Sequence, residues 1–226
     1  MTIQHVNIFM QMVVFLFAIS VHESAHAWTA SRLGDQTARM LGRVTLNPIK
    51  HIDPIGTILV PLIALYYGAF FIGWAKPTPV NTRNFRHLVR DDILTSVAGP
   101  VSNFLTAIIA TALLLVISLS GSGNEMVQGL VQAGAIADTN SPLMPIVLLL
   151  YNGMIINILL GVFNLLPIPP LDGSHVLRHF LPDGLRQIYD RIGMLALVLI
   201  FVISGPYLRA VFFPIVRAFT GVLIRQ

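Results

Sequence analysis

The sequence predicts an all-α polytopic membrane protein, and three observations carry that prediction. Only 11% of the 226 residues are charged while 55% are hydrophobic; soluble domains carry about 25% charged residues. The apolar residues gather into five long stretches, near 6–28, 55–74, 93–119, 145–166 and 194–224, and a bilayer-spanning helix needs about 20 such residues. The third observation is that His22-Glu23-Ser24-Ala25-His26 lies inside the first stretch. Ionisable side chains at membrane depth are expensive and mark function.

Taken in order, the first stretch has no Lys or Arg before it and ends in H-E-x-x-H rather than a small-residue cleavage site, so it reads as a retained helix and not a signal peptide. The second holds Pro54, Gly56, Pro61, Gly68 and Gly73, too many breakers for a simple span. The third and fourth qualify as spans. The fifth is interrupted by Gly205-Pro206 and by Pro214, and is expected as one kinked helix or a helix plus a shorter return. The whole chain reads as one domain: core segments 6–33, 91–120 and 143–180, an insert at 36–90, and a C-terminal helical region at 190–226.

Loop charges orient these segments. Arg32, Arg39, Arg43 and Lys50 precede the second stretch, and Lys76, Arg83, Arg86 and Arg90 follow it. The 120–142 loop has no Lys or Arg, only Glu125 and Asp138, which are expected to be solvated outside. Arg178, Arg186 and Arg191 follow the fourth stretch. The positive-inside rule puts both loops flanking the second stretch on the cytoplasmic side, so that stretch is expected to be a re-entrant insert. The segments 40–45 and 77–82 look extended and are expected to pair as short strands beside it. The pI near 9.9 fits juxtamembrane anchoring on anionic lipid and not nucleic-acid binding. Trp28, Trp74, Tyr66 and Tyr67 fit aromatic anchoring at the interface.

On a helix, residues four apart lie about 40° apart around the axis and about 6 Å along it, so His22 and His26 can reach one ion. Glu23 is turned about 100° away, off the ion but beside the water such an ion polarises. With no cysteine in the chain, a metal must use His, Asp or Glu. A catalytic zinc site takes three protein ligands and keeps one position open. The best third ligand is Asp172, on the turn after Asn164-Leu165-Leu166-Pro167-Ile168-Pro169-Pro170-Leu171, where Gly173 permits an unusual backbone. Topology brings it to the same cytoplasmic depth as the histidines. His175 and His179, a second pair four apart, are the competing ligands; a supporting or solvated role on an interfacial helix suits them better. His51 and Asp53 read as turn residues before Pro54.

Three motifs in order resemble the site-2 protease family of intramembrane zinc metalloproteases. His22-Glu23-Ser24-Ala25-His26 is similar to its H-E-x-x-H, Ala98-Gly99-Pro100-Val101-Ser102-Asn103 to its G-P-x-x-N element, and residues 164–173 to its N-x-x-P-x-P-x-L-D-G element. The resemblance implies a three-helix catalytic core, one zinc ion per chain held by His22, His26 and Asp172, and Glu23 as the catalytic acid/base. No PDZ-like domain is visible, so the chain looks like a minimal member. Asn103 and Asn164 are candidates for binding substrate backbone or the oxyanion, with helix–helix hydrogen bonding and satisfaction of carbonyls freed by Pro167 as the alternatives. Gly99-Pro100 is expected to let helices approach closely.

The expected function is hydrolysis of peptide bonds in transmembrane segments of membrane-protein partners, within the bilayer of the cell membrane and near its cytoplasmic face. An extended substrate is expected to add to a strand edge at 43–46 or 79–81. The rival readings are an ion or metal transporter and a catalytically inactive metal-binding scaffold.

Overall fold

A computed structural model describes residues 3–66, 73–134, 141–191 and 205–224. Tyr67, Asp138 and the 194–204 part of the fifth apolar stretch lie outside the described residues. Four described helices are long and apolar enough to cross a membrane: Val6–Leu33, Leu88–Ser118, Met144–Asn164 and Gly205–Ile224. The chain is therefore an all-α, multi-pass membrane protein.

Helix α1 (Ile3–Leu33) has 31 residues, about 46 Å at 1.5 Å per residue. It stops where Gly34 takes φ 122°, a conformation open to glycine. Helix α2 (Thr37–Met40) follows it. A π-helical turn over Pro54–Leu59 runs into α3 (Val60–Tyr66), and Asp53 caps that turn by accepting from the amides of Ile55 and Gly56. Then come α4 (Leu88–Ser118), α5 (Gly121–Ala133), α6 (Met144–Asn164), α7 (Asp172–Arg178), α8 (Asp183–Arg191) and α9 (Phe213–Ile224).

Helix α4 is the centre of the molecule, packed along α6 and α1. Small side chains make that approach possible, with Ala18, Ala107 and Ala110 buried between helices. In a bilayer, where lipid is as apolar as leucine, such close backbone packing is what drives helix association. One apolar cluster joins α4, α5, α6 and α9 through Leu114, Met126, Val147, Met154 and Leu223. A second joins α1 to α6 through Phe15, Ile19 and Ile156. The three-helix core is thus α1, α4 and α6.

The insert enters and returns. The turn and helix from Pro54 to Tyr66 rise about 20 Å, short of the roughly 30 Å hydrocarbon core. The Trp74 amide then donates to the Gly56 carbonyl at 3.0 Å, and the Thr57 hydroxyl to the Trp74 carbonyl at 2.7 Å. Both ends of the excursion are therefore at one level.

Three expectations need correction. No strand forms among the described residues: 40–45 closes α2 in a turn, and 77–81 is irregular and leads into a short 3-10 turn at Thr82–Asn84, bonding to side chains and loops instead of to a ladder. The proline pair Pro77 and Pro79 removes two of the donors a ladder would need. The 120–142 stretch is not simply a loop; α5 buries Met126, Val127 and Leu130, while Glu125 is exposed as expected. Gly173 has no positive φ; its role is close approach. His51 stands in a turn as expected, and is wholly buried there with its Nε2 on the Thr45 carbonyl at 2.8 Å. The fifth stretch keeps its helix across Pro214, because a π-helical turn at Leu208–Phe212 leads into α9.

Asp35 ties α1 to the insert. It is fully buried and accepts from the Thr37 amide and hydroxyl, the Asn84 side chain and the Asn81 amide, at 2.5–3.1 Å. Burial pushes its carboxyl up, and the Thr37, Asn84 and Asn81 donors outweigh that, holding it below the ordinary carboxylate value. A depressed folded value means the stabilisation is complete above the unfolded value of about 3.9 and fades as pH falls through the folded one. Asp35→Asn should therefore lower Tm near neutral pH, each donor left buried and unmet costing about 1–3 kcal/mol. The gap to wild type should narrow on acidification to about pH 3. Thermal unfolding of detergent-purified protein checks this, and a gap that stays constant would remove the carboxylate charge as the cause.

Candidate active site

His22 and His26 stand one turn apart on α1, with their Nε2 atoms 3.0 Å from each other. Both other nitrogens are committed. His22 Nδ1 meets Asn103 Oδ1 at 2.6 Å, and His26 Nδ1 meets the Thr95 carbonyl at 2.7 Å. The Asn103 amide nitrogen donates to Asn157 Oδ1 at 2.8 Å, which fixes which end of Asn103 faces His22. Carbonyl oxygens only accept, so each Nδ1 carries a hydrogen, and in the neutral form of each ring that leaves Nε2 as the lone-pair nitrogen. Two lone pairs facing each other at this distance call for a cation between them.

Asp172 completes the set. Its Oδ2 is 3.1 Å from His22 Nε2 and its Oδ1 is 3.4 Å from His26 Nε2. Oδ2 is buried with no hydrogen-bond donor. Tetrahedral ligands about 2.0–2.1 Å from zinc lie about 3.3 Å apart, close to all three separations. These three residues form the one group of His, Asp or Glu among the described residues that could hold a metal ion, and their donor chemistry fits zinc.

Local sequence explains how each ligand is delivered. A Cβ on Gly99 would strike the imidazole atoms of both histidines, so the expected close approach at Gly99 serves the rings themselves. Beyond α6 the proline-rich turn carries the chain back, and α7 begins at Asp172. A Cβ on Gly173 would collide with the carbonyls of Leu165 and Leu166; only glycine lets α7 start so near the end of α6. The far end of α7 is tied to α4 by His179 Nε2 and Asp92 Oδ2 at 2.7 Å. His179 thus supports the α7 helix, and His175 is exposed.

Glu23 lies next to His22 on α1. Its Oε2 accepts the Thr78 amide at 2.8 Å, and its carbonyl accepts the Thr78 hydroxyl at 3.1 Å. Ser24 donates to the Thr45 carbonyl. Asn103 is wholly buried behind His22, its amide spent on His22 and Asn157. Asn164 donates to the Leu160 carbonyl of its own helix at 3.0 Å. Sequence reasoning missed Asn157, Thr95, Thr78 and Asp35. Thr95 acts through a backbone carbonyl, which has no residue signature, whereas a second asparagine on the fourth apolar stretch was a visible signal for Asn157.

Residues 10–204 match the family model described as Peptidase family M50. The chain belongs to peptidase family M50, the site-2 protease family. Three relatives carry the printed name "Putative zinc metalloprotease". YwhC of Bacillus subtilis is 39% identical over 77% of this chain and 70% of its own length. Rip2 of Mycolicibacterium smegmatis is 26% identical over 96% of this chain and 75% of its own. Rip2 of Mycobacterium tuberculosis is 27% identical over 89% and 69%. No solved structure matches the chain. This M50 peptidase is accordingly a metalloprotease, and the similarity to proteins named for zinc agrees with the donor set.

Two substitutions test the support around the ligands of this M50 site. Asn103→Ala frees the His22 ring and should weaken zinc binding about 10–100-fold, as loss of a hydrogen bond behind a metal ligand does; competition with a chromophoric chelator measures it. Gly99→Ala places a methyl against both imidazoles, and elemental analysis should find the zinc content of the purified protein sharply reduced.

Proposed function

We propose that this M50 metalloprotease cuts peptide bonds within transmembrane segments of other membrane proteins, near the cytoplasmic face, using one zinc held by His22, His26 and Asp172. The observation that carries the reading is the pair of bare Nε2 atoms facing the Asp172 carboxylate on a helix apolar enough to span a bilayer. Bound there, zinc would act as a Lewis acid and bring the pKa of a water to about 7.

The chain's own groups do the rest. Glu23 sits one residue from His22 and off the ligand face, placed to take a proton from the attacking water and give it to the leaving amine. The buried Asn103–Asn157 pair keeps the His22 ring turned, and the Thr95 carbonyl keeps the His26 ring turned. A helical substrate has its amides bonded internally and must unwind before a peptide bond is presented. The abundance of Arg and Lys around the H-E-x-x-H end of α1, against none at 120–142, supports placing the cut on the cytoplasmic side.

The direct test combines metal analysis with cleavage. About one zinc per chain is expected for wild type, with loss in His26→Ala and Asp172→Ala, whose removal leaves two of the three ligands a catalytic zinc site needs. Glu23→Gln should retain zinc and cleave nothing. Single-span reporter proteins reconstituted in vesicles should be cut by wild type within the span. Cleavage confined to soluble unfolded protein such as casein would remove the transmembrane-substrate reading, and a zinc-bearing Glu23→Gln variant with normal turnover would remove Glu23 from the mechanism.

A further inference from the structure

We infer that Thr78 is a positioning residue for the Glu23 carboxylate, and that the extended segment from Trp74 to Asn81 is a strap whose task is to hold that one amide in place. The inference rests on the protease reading above. In Pro77-Thr78-Pro79 the prolines have no N–H, so the Thr78 amide is the single backbone donor of the tripeptide. It is spent on Glu23 Oε2 at 2.8 Å, and the hydroxyl of the same residue donates to the Glu23 carbonyl at 3.1 Å. Side chain and main chain of Glu23 are thus gripped from one point.

The strap is fixed on either side of that point. Upstream, the Trp74 amide is bound to the Gly56 carbonyl and the Lys76 amide to the carbonyl of the fully buried His51, at 3.0 and 2.9 Å. Downstream, the Asn81 amide is bound to the fully buried Asp35 at 2.7 Å. Arg43, itself buried, reaches the Pro77 carbonyl. The amides of Lys76, Thr78 and Asn81 are each already bonded within the chain, to the His51 carbonyl, Glu23 and Asp35.

The chemistry explains the need. Glu23 is on a helix face turned about 100° from His22, and a glutamate has three rotatable bonds with which to leave the site. A charge-assisted hydrogen bond to one carboxylate oxygen holds the group while leaving the other oxygen for proton transfer. Misplacement of a catalytic group by about 1 Å can cost about 100-fold in rate.

The test compares Thr78→Pro, which deletes the amide donor and the hydroxyl, with Thr78→Val, which keeps the donor and drops the hydroxyl. Zinc per chain is measured for each, with kcat and KM on fluorescein-labelled casein and on a single-span reporter. Wild type beside Glu23→Gln first establishes whether the protease reading stands. Given that, Thr78→Pro should keep its zinc and lose about 10–100-fold in kcat with KM little changed, the pattern of an interaction used in the chemical step; Thr78→Val should fall between. In the Glu23→Gln background, Thr78→Pro should leave reporter binding intact. A raised KM with kcat unchanged, or lost binding in that background, would make the strap a substrate-binding element and overturn the inference, as would wild-type kinetics in Thr78→Pro. Amide exchange read by mass spectrometry serves independently of turnover and if Thr78→Pro fails to assemble. The Thr78 amide should be protected in wild type, and should exchange faster in Glu23→Ala and in Asp35→Asn, which slackens the strap from its far end. Unchanged exchange at Thr78 in both variants overturns the inference.

Discussion

Two imidazole nitrogens held 3.0 Å apart on neighbouring turns of one helix set the terms for the rest of this molecule. Neutral lone pairs at that distance repel, so the arrangement stands only if each ring is locked from behind and a cation is accommodated in front. The lock behind His22 is a side chain from α4 braced by one from α6, and the lock behind His26 is a carbonyl of α4. The three core helices are therefore joined by the same polar contacts that orient the ligands. Loosening any one of them would disturb fold and site together, which is the expectation for a fully satisfied polar network in a low-dielectric interior.

Much of this was legible because intramembrane chemistry is conspicuous. His22, Glu23 and His26 stood out against an apolar run, and Asp172 against a proline-rich turn, since charge at membrane depth needs a reason. The helices at 88–118 and 144–164 followed from hydropathy alone. What could not be read was whatever depends on backbone groups or on distant pairing. The Thr95 carbonyl has no side-chain signature. Asp35 looked like an ordinary residue after Gly34, because its four donors come from Thr37, Asn81 and Asn84 and only the fold assembles them. The expected strands failed for a related reason: the partners of the 77–81 backbone are side chains and loop carbonyls, and alternation of residues carries no information about those.

The insert shows how this chain satisfies irregular backbone beside its spanning helices. Among the described residues several departures from helix there are met by a named group: Asp53 caps the entry, the Gly56 carbonyl accepts from the Trp74 amide and Thr57 donates to the Trp74 carbonyl, the His51 carbonyl accepts from Lys76 while its ring meets the Thr45 carbonyl, and Arg43 reaches the Pro77 carbonyl. Unsatisfied amides in such a setting would cost several kcal/mol each. The same groups carry the chain across Glu23, so the solution to a solvation problem also shapes the catalytic neighbourhood.

In the proposed site the third ligand comes from α7, far along the chain from the H-E-x-x-H helix, and this would fix a timing during synthesis. Residues 22 and 26 enter the membrane early, but position 172 is made 146 residues after position 26. At translation rates of about 5–20 residues per second that is a delay of about 7–30 s. Throughout it the nascent chain holds a histidine pair and a glutamate with no aspartate to close the set. On the proposed ligand set, such a hydrolase would stay inert among other nascent membrane segments until three of its four described spanning helices have been made, a safeguard written into the order of its residues.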